Sequence, residues 1–412
     1  MKKSLVFVLA LALLLTAVSA FAEPLQIEYW SVFTGGDGAT MQQMVDAFNA
    51  SQNEIFVNHT PMTADDLYQK IPLAVQTGSD VPDVCIVHIE RIPNFVANDM
   101  LYAYDSDILA QADVKQEDYI ASAWARTDID GEHYGIPLDV HSYVTYYNKD
   151  LFDKYDLNEF LTDGVLTFDE IKALGDKARA NGYEGAIFDL GWMRSQLLSY
   201  YAQLDPALTL SKDGVAPCIN NENMKKVMET MKDLYEGGYT TSKSDDYSSM
   251  FYGGELLVWS EGIWMKAAAV DAGVNFGMIP SVCFDPATVK NWTSSHNFVQ
   301  FADEERTEAE DLAVAKFIKY MGAQQSETWA VQAGQCPSYV SAWDNLDLNT
   351  LPQGFLADPA NVDTLAIYSY RYWGLFDTAF SRIGWDFVDG TISIDDALAQ
   401  IDAEISDAIA AQ

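Results

Sequence analysis

The chain has 412 residues, of which 49% are hydrophobic, and sets 24 lysines and arginines against 61 aspartates and glutamates for a formal net charge of −37. That length is more than one hydrophobic core usually serves and suits two lobes. So acidic a surface repels nucleic acid and anionic membranes, which removes both from the expected partners.

Lys2-Lys3, an apolar run from Leu5 to Ala17 and Ala20-Phe21-Ala22 make a charged n-region, an h-region and a small-residue cleavage site. They predict a cleavable signal peptide over residues 1–22, with the mature chain starting at Glu23. Loss of Lys2 and Lys3 then takes the charge from −37 to −39. No later run is long enough to span a bilayer. No cysteine precedes Cys85, so no lipid anchor on an N-terminal cysteine is expected, and the destination is the periplasm or the exterior. Cys85, Cys218, Cys283 and Cys336 allow three disulfide pairings, which the spacing leaves open. None forms a C-x-x-C pair, so neither a zinc nor a redox site is expected.

Gln26–Trp30 alternates and reads as a first strand. Ser31–Gly38 is a glycine-containing loop, and Met41, Met44, Val45 and Phe48 form one helix face. The loop lacks both Gly-Lys-Ser/Thr and G-x-G-x-x-G, so it reads as the lip of a cleft and not as a nucleotide cradle. Trp30 and Phe33 would lie near that lip. Asp65–Gln76 is a second helix. Val84–Ile89 is a continuous apolar strand containing Cys85 and His88, followed by the charged pair Glu90-Arg91. Gly135-Ile136-Pro137 ends a turn, Tyr143–Tyr147 is a strand, and Asp139 and His141 lie between them. In extended backbone those two share a face, so both are expected to point into a cleft.

Thr167 and Glu170 form a capping box for a helix to Ala180. Ala186–Leu190 is a strand leading to Gly191-Trp192. Met224, Val227, Met228, Met231 and Leu234 stripe a helix closed by Gly237-Gly238. In FYGGELLVWSEGIWM, Leu256–Ser260 reads as a buried strand of a parallel sheet and Gly262 frees the backbone where it stops. Trp264 is then placed just past a strand end, where ligands bind in open α/β sheets. The competing reading of Trp264 is a core indole under a loop. Asn275–Pro280 is another strand. Thr307 with Glu310 caps a helix to Met321, and Ser393 with Asp396 caps a last one carrying Ile394, Leu398, Ile401 and Ile405 inward.

Strands alternating with helices make the fold class α/β. Strand ends from both halves of the chain carry Trp30, Glu90-Arg91, Asp139/His141, Trp192 and Trp264. Two lobes facing one cleft would gather them. Aromatic faces cover the C–H face of a pyranose ring, and carboxylates, arginine and histidine hold its hydroxyls.

The chain resembles the extracellular solute-binding proteins of ABC transporters, of the maltose-binding type. The pieces that carry the resemblance are IEYWSVF, VPDVCIVHIERI, GIPLDVHSYVTYYNKDLF, FYGGELLVWSEGIW and NWTSSHNFVQF. It implies a two-lobed periplasmic binding-protein fold, each lobe a sheet flanked by helices, joined by hinge crossings. Residues 23–140 and 291–342 would form the first lobe and 142–289 with 343–412 the second. The implied role is capture of a sugar by a monomer and its delivery to a membrane permease, with no cofactor, metal or catalysis. Trp264 falls on the family's sugar-stacking tryptophan and Glu90-Arg91 on a pair that holds hydroxyls. His141 falls where a carboxylate often sits, and Trp192 falls near a second-lobe aromatic. Of Tyr372, Trp373 and Phe376, Trp373 is taken as the C-terminal aromatic. The ligand set is thus Trp30, Phe33, His88, Glu90, Arg91, Asp139, His141, Trp192, Trp264 and Trp373. Two other classes stay open. One is a binder of a non-sugar solute: a polyamine, a metal ion or a polyol phosphate. The other is a glycoside hydrolase using paired carboxylates such as Glu90 and Asp139.

Overall fold

The computed structural model describes residues 23–211, 215–347, 350–357, 359–368 and 370–411. The expected signal peptide lies outside the described residues. Among them, no helix is long and apolar enough to cross a membrane.

The first sheet contains β1 (Leu25–Ser31), β2 (Ile55–Pro61), β3 (Val84–His88), β4 (Leu101–Tyr102) and β5 (Ile136–Pro137). The second is built on a ten-residue strand, β6 (Asp139–Asn148), with β7 (Ala186–Phe188), β8 (Leu256–Gly262), β9 (Phe276–Ile279) and β10 (Asn291–Ser294). The chain then returns to the first sheet as β11 (His296–Phe301) and touches the second again as β12 (Cys336–Pro337) and β13 (Leu365–Ile367). The first sheet runs β2-β1-β3-β11-β4, with β5 on β11, and the second runs β13-β10-β6-β8-β7, with β9 and β12 on β6. β8 is parallel to β7 but antiparallel to β6, so the strand expected in a parallel sheet sits in a mixed one. Residues 291–294, expected with the first lobe, pair with β6 and β13 in the second sheet. The chain changes sheets at Ser295.

Apolar alternation explains the layers. Ile27, Tyr29 and Val57 face α1 (Gly36–Ser51), whose buried face carries the expected Met41, Met44, Val45 and Phe48. The opposite face, with Trp30, Cys85 and Val87, packs on Leu67 and Ile71 of α2 (Ala64–Thr77). In the second lobe, α3 (Phe168–Ala180) opens on the expected Thr167/Glu170 capping box. Beyond it lie α4 (Met193–Leu204), α5 (Glu222–Glu236), α7 (Trp373–Val388) and α8 (Ile394–Ala410), which share one core. α6 (Glu308–Thr328) opens on the Thr307/Glu310 box and packs on the first sheet. Cys85, Cys283 and Cys336 are buried free thiols.

The two sheets are joined where Leu138, Ser295 and Ser338 cross side by side. The Leu138 N–H donates to the His296 carbonyl at 2.8 Å, the Ile89 N–H to Ser295 at 2.9 Å, and the Ser338 N–H to Leu138 at 3.0 Å. Backbone pairing at the crossings leaves the side chains of His141 and His296 to face the space between the lobes.

Candidate functional site: the cleft between the lobes

A cavity of about 860 Å³ lies over these crossings. That is near the upper end of the range for small-molecule sites. One wall comes from the loop after β1, including Phe33 and Asp37, with Tyr68 of α2 and the turn after β3. The other comes from Trp192 and Arg194 at the start of α4, Trp264 after β8, Trp292 of β10, and Trp373 and Asp377 of α7. His88, His141 and His296 line it too.

Each wall residue owes its place to a local feature. β3 stops at His88 and the chain turns through Ile89–Arg91, leaving Glu90 and Arg91 at the cleft edge. Glu90 is buried, and its Oε2 accepts the Ser294 hydroxyl at 2.5 Å. Burial raises its pKa, and the Ser294 hydrogen bond opposes that. Trp264 follows Gly262 so closely that a Cβ on Gly262 would lie 2.1 Å from the indole. The indole meets the His141 ring edge-on at 5.6 Å and tilts 58° to Trp192 at 5.9 Å. Trp192 is 45% exposed, which for a large apolar ring marks a binding surface more than a core.

An ion-pair bridge crosses the cleft. Asp377 Oδ2 lies 3.4 Å from Arg91 Nη2, while its Oδ1 lies 3.1 Å from Arg194 Nη1. The Arg91 guanidinium lies over Tyr68 at 4.6 Å, and Arg194 lies over Trp292 at 5.0 Å and Trp373 at 5.5 Å. A Cβ on Gly374 would fall 2.9 Å from Arg91 Nη1, so a side chain there would push the end of that guanidinium aside.

The floor is a histidine cluster. Asp139 accepts from His141 Nδ1 (3.1 Å), His296 Nδ1 (3.0 Å), the His296 N–H (3.2 Å) and Trp329 Nε1 (2.7 Å). Burial alone would raise its pKa, but His296 and His141 outweigh burial and hold the carboxyl well below its usual range. The His141 and His296 rings stack at 4.1 Å. Burial, then His296, pushes His141 down to about 4, and the same two causes hold His88 well below the ordinary histidine value. Asp37 is also raised, by burial first.

Eight expected residues line the cavity: Phe33, His88, Glu90, Arg91, His141, Trp192, Trp264 and Trp373. Two do not. Trp30 is 5% exposed and points to the α2 face of the sheet, with the Lys70 ammonium 3.8 Å from its ring centroid. Strand alternation puts it on the face opposite Tyr29 and Ser31. Asp139 does share a face with His141, but both histidines and Trp329 cover it, so it is a hub beneath the floor and does not touch the cleft. Sequence reading missed Asp37, Tyr68, Arg194, Trp292, His296 and Asp377. Two carried a signal: Arg194 stands two residues after Trp192, and Asp377 one helical turn after Trp373.

A model of the bacterial extracellular solute-binding protein family matches residues 43–353, well over half of the chain. A binding protein of Brucella abortus is 25% identical over 231 residues, 54% of each chain, so the match spans about half the length of such curated relatives. The maltodextrin-binding protein MdxE of Bacillus subtilis is 23% identical over 288 residues, 66% of this chain and 64% of that one. Among solved structures, the GacH receptor of Streptomyces glaucescens, described with acarbose, superposes with a TM-score of 0.78 at 16% identity, covering 94% of this chain and 99% of that one. UgpB from Mycobacterium tuberculosis, in complex with glycerophosphocholine, superposes with a TM-score of 0.77 at 19% identity, covering 95% and 99%. With its two-lobed fold and inter-lobe cleft, the chain belongs to the bacterial extracellular solute-binding protein family.

Proposed function

We propose that this protein is the exported, monomeric substrate-binding component of an ABC importer, that it captures an oligosaccharide in the cleft, and that it hands the sugar to a membrane permease. The observation that carries the reading is the pair of indoles, Trp192 and Trp264, standing over buried polar groups in one cavity of about 860 Å³. Indole faces take the apolar side of a pyranose, while Glu90, Arg91 and Asp377 take its hydroxyls in charge-assisted hydrogen bonds. The maltodextrin-binding relative supports the same class of ligand. Catalysis by Glu90 and Asp139 is disfavoured, because Asp139 is sealed beneath the histidines and reaches no solute.

A second reading, a polyol phosphate, draws on Arg194, which gives the cleft a second guanidinium. Asp377 already engages both guanidiniums, and Glu90 and Asp37 add further acidic groups, which favours a neutral polyhydroxylated ligand. A thermal-shift screen separates the two. Ligand at a hundred times its dissociation constant adds about 2.7 kcal/mol of stability. A shift with linear oligosaccharides and none with glycerol phosphodiesters is expected; the reverse pattern assigns the phosphate reading.

A further inference from the structure

We propose that His88, His141 and His296 form a binding site for one divalent transition-metal cation of the zinc, nickel and copper class, with an open coordination position facing the cleft. The three residues come from three segments: the end of β3, the start of β6 and the start of β11. One ring nitrogen from each lies within 4.8 Å of the other two.

The outer shell is already built. His141 and His296 each direct Nδ1 at the carboxylate of Asp139, and His88 Nδ1 lies 2.6 Å from the Tyr68 hydroxyl. The Tyr68 oxygen also accepts the His88 backbone N–H at 3.0 Å. Metal-ligating histidines characteristically donate the second ring nitrogen to a carboxylate or other oxygen, which fixes the tautomer and turns the lone pair toward the ion. That arrangement would leave Nε2 of each ring for the cation. Metal binding would select the His88 tautomer in which Nδ1–H donates to Tyr68.

Spacing and donor type agree. With zinc–nitrogen bonds of about 2.0–2.1 Å and tetrahedral angles, imidazole centroids fall about 5 Å apart. The observed separations are 4.1 Å, 5.0 Å and 5.8 Å. The His141 and His296 rings stack with 28° between their planes, so one of them must turn out of the stack for both lone pairs to meet at one ion, and nitrogens that lie within 4.8 Å of one another must close to about 3.3 Å. Three imidazoles without thiolate or clustered carboxylate ligands suit zinc, copper or nickel and not magnesium or calcium. The buried Asp139 charge lies directly behind two of the ligands and offsets part of the dication's charge. Three protein ligands leave a position for water or a solute oxygen, and the ligands straddle the crossing between the sheets. This site goes beyond the sugar reading and does not depend on it.

The chain has five histidines, so ring-nitrogen NMR yields five resolvable imidazoles. The experiment takes the chelator-stripped full-length protein, without sugar, and adds zinc alone to one equivalent. We expect the ring nitrogens of His88, His141 and His296 to shift together, while His59 and His133 stay in place. His88→Gln and His296→Gln should each weaken zinc binding at least 100-fold by calorimetry. His59→Gln should leave it unchanged. Shifts in fewer than all three cluster histidines, or zinc affinity that survives both cluster variants, would overturn the proposal and assign binding to the acidic surface. If the variants do not fold, the parent spectrum decides alone.

Discussion

At the scale of single residues, the histidine floor and the Trp264 turn carry the most consequence. Asp139 is the acceptor for two imidazoles, a backbone N–H and an indole N–H, and it is fully buried. Removing one partner of such a buried set strands the others without compensation. We expect Asp139→Ala to lower the unfolding free energy of the unliganded protein by about 1–3 kcal/mol, the cost of buried donors left unsatisfied, read by urea denaturation. An unchanged denaturation midpoint would return Asp139 to the role of a ligand contact that its sequence position first indicated. Gly262 makes a different case. A methyl group there would collide with the indole 2.1 Å away, so Gly262→Ala must displace Trp264 while touching no ligand itself. Sugar affinity should fall on the order of tenfold, about 1.4 kcal/mol, with the fold kept. A variant that binds like the parent would show that Trp264 has room to move without consequence.

At the scale of elements, β8 ends in a buried acid. Glu261 hydrogen-bonds its neighbour's N–H, Gly262 N, at 2.8 Å, and burial raises its pKa to about 8. The unfolded chain gives up this proton at the ordinary carboxylate pKa, near 4. Between those values the native state binds more protons than the unfolded state, so stability from this group falls as pH rises from about 4.5 to about 8. The slope is at most about 1.4 kcal/mol per pH unit. We expect Glu261→Gln to flatten that part of the stability–pH curve; a curve that keeps the parent's slope would show Glu261 to be ionised in the fold. The elements also show where sequence is legible. The Thr167 and Thr307 boxes and the methionine face of α1 are written in local spacing and appear in the fold as read. α7 is not, because WGLFDTAFSRIGWDFV is apolar on most of its circumference and Tyr372 gives it no side-chain cap. α4 hides likewise, with ten of its twelve residues buried. Residues that follow strands, such as Glu90, Arg91 and Trp264, were legible because a strand end is a local signal. His296, Asp377 and Arg194 were not, because their partners lie far away in sequence and only the crossing of the sheets unites them.

At the scale of the whole molecule, the two sheets share one floor, and Arg91 and Asp377 reach across the cleft from opposite lobes. A solute held between them would contact both lobes at once, so we expect its binding to favour their approach, and exclusion of water would strengthen each hydrogen bond. The indoles set the scale of the expected affinity. One sugar ring covers on the order of 100 Å² of an indole face, worth about 2.5 kcal/mol at roughly 25 cal/mol per Å². The most direct measurement is calorimetric titration of the parent and Trp264→Ala with the oligosaccharide that gives the largest thermal shift. We expect one site in the parent and a dissociation constant raised roughly 50- to 100-fold in the variant, whose unliganded melting temperature stays close to the parent's. Equal affinity in the two proteins, or no heat from any oligosaccharide in the parent, would contradict capture of a sugar against this indole.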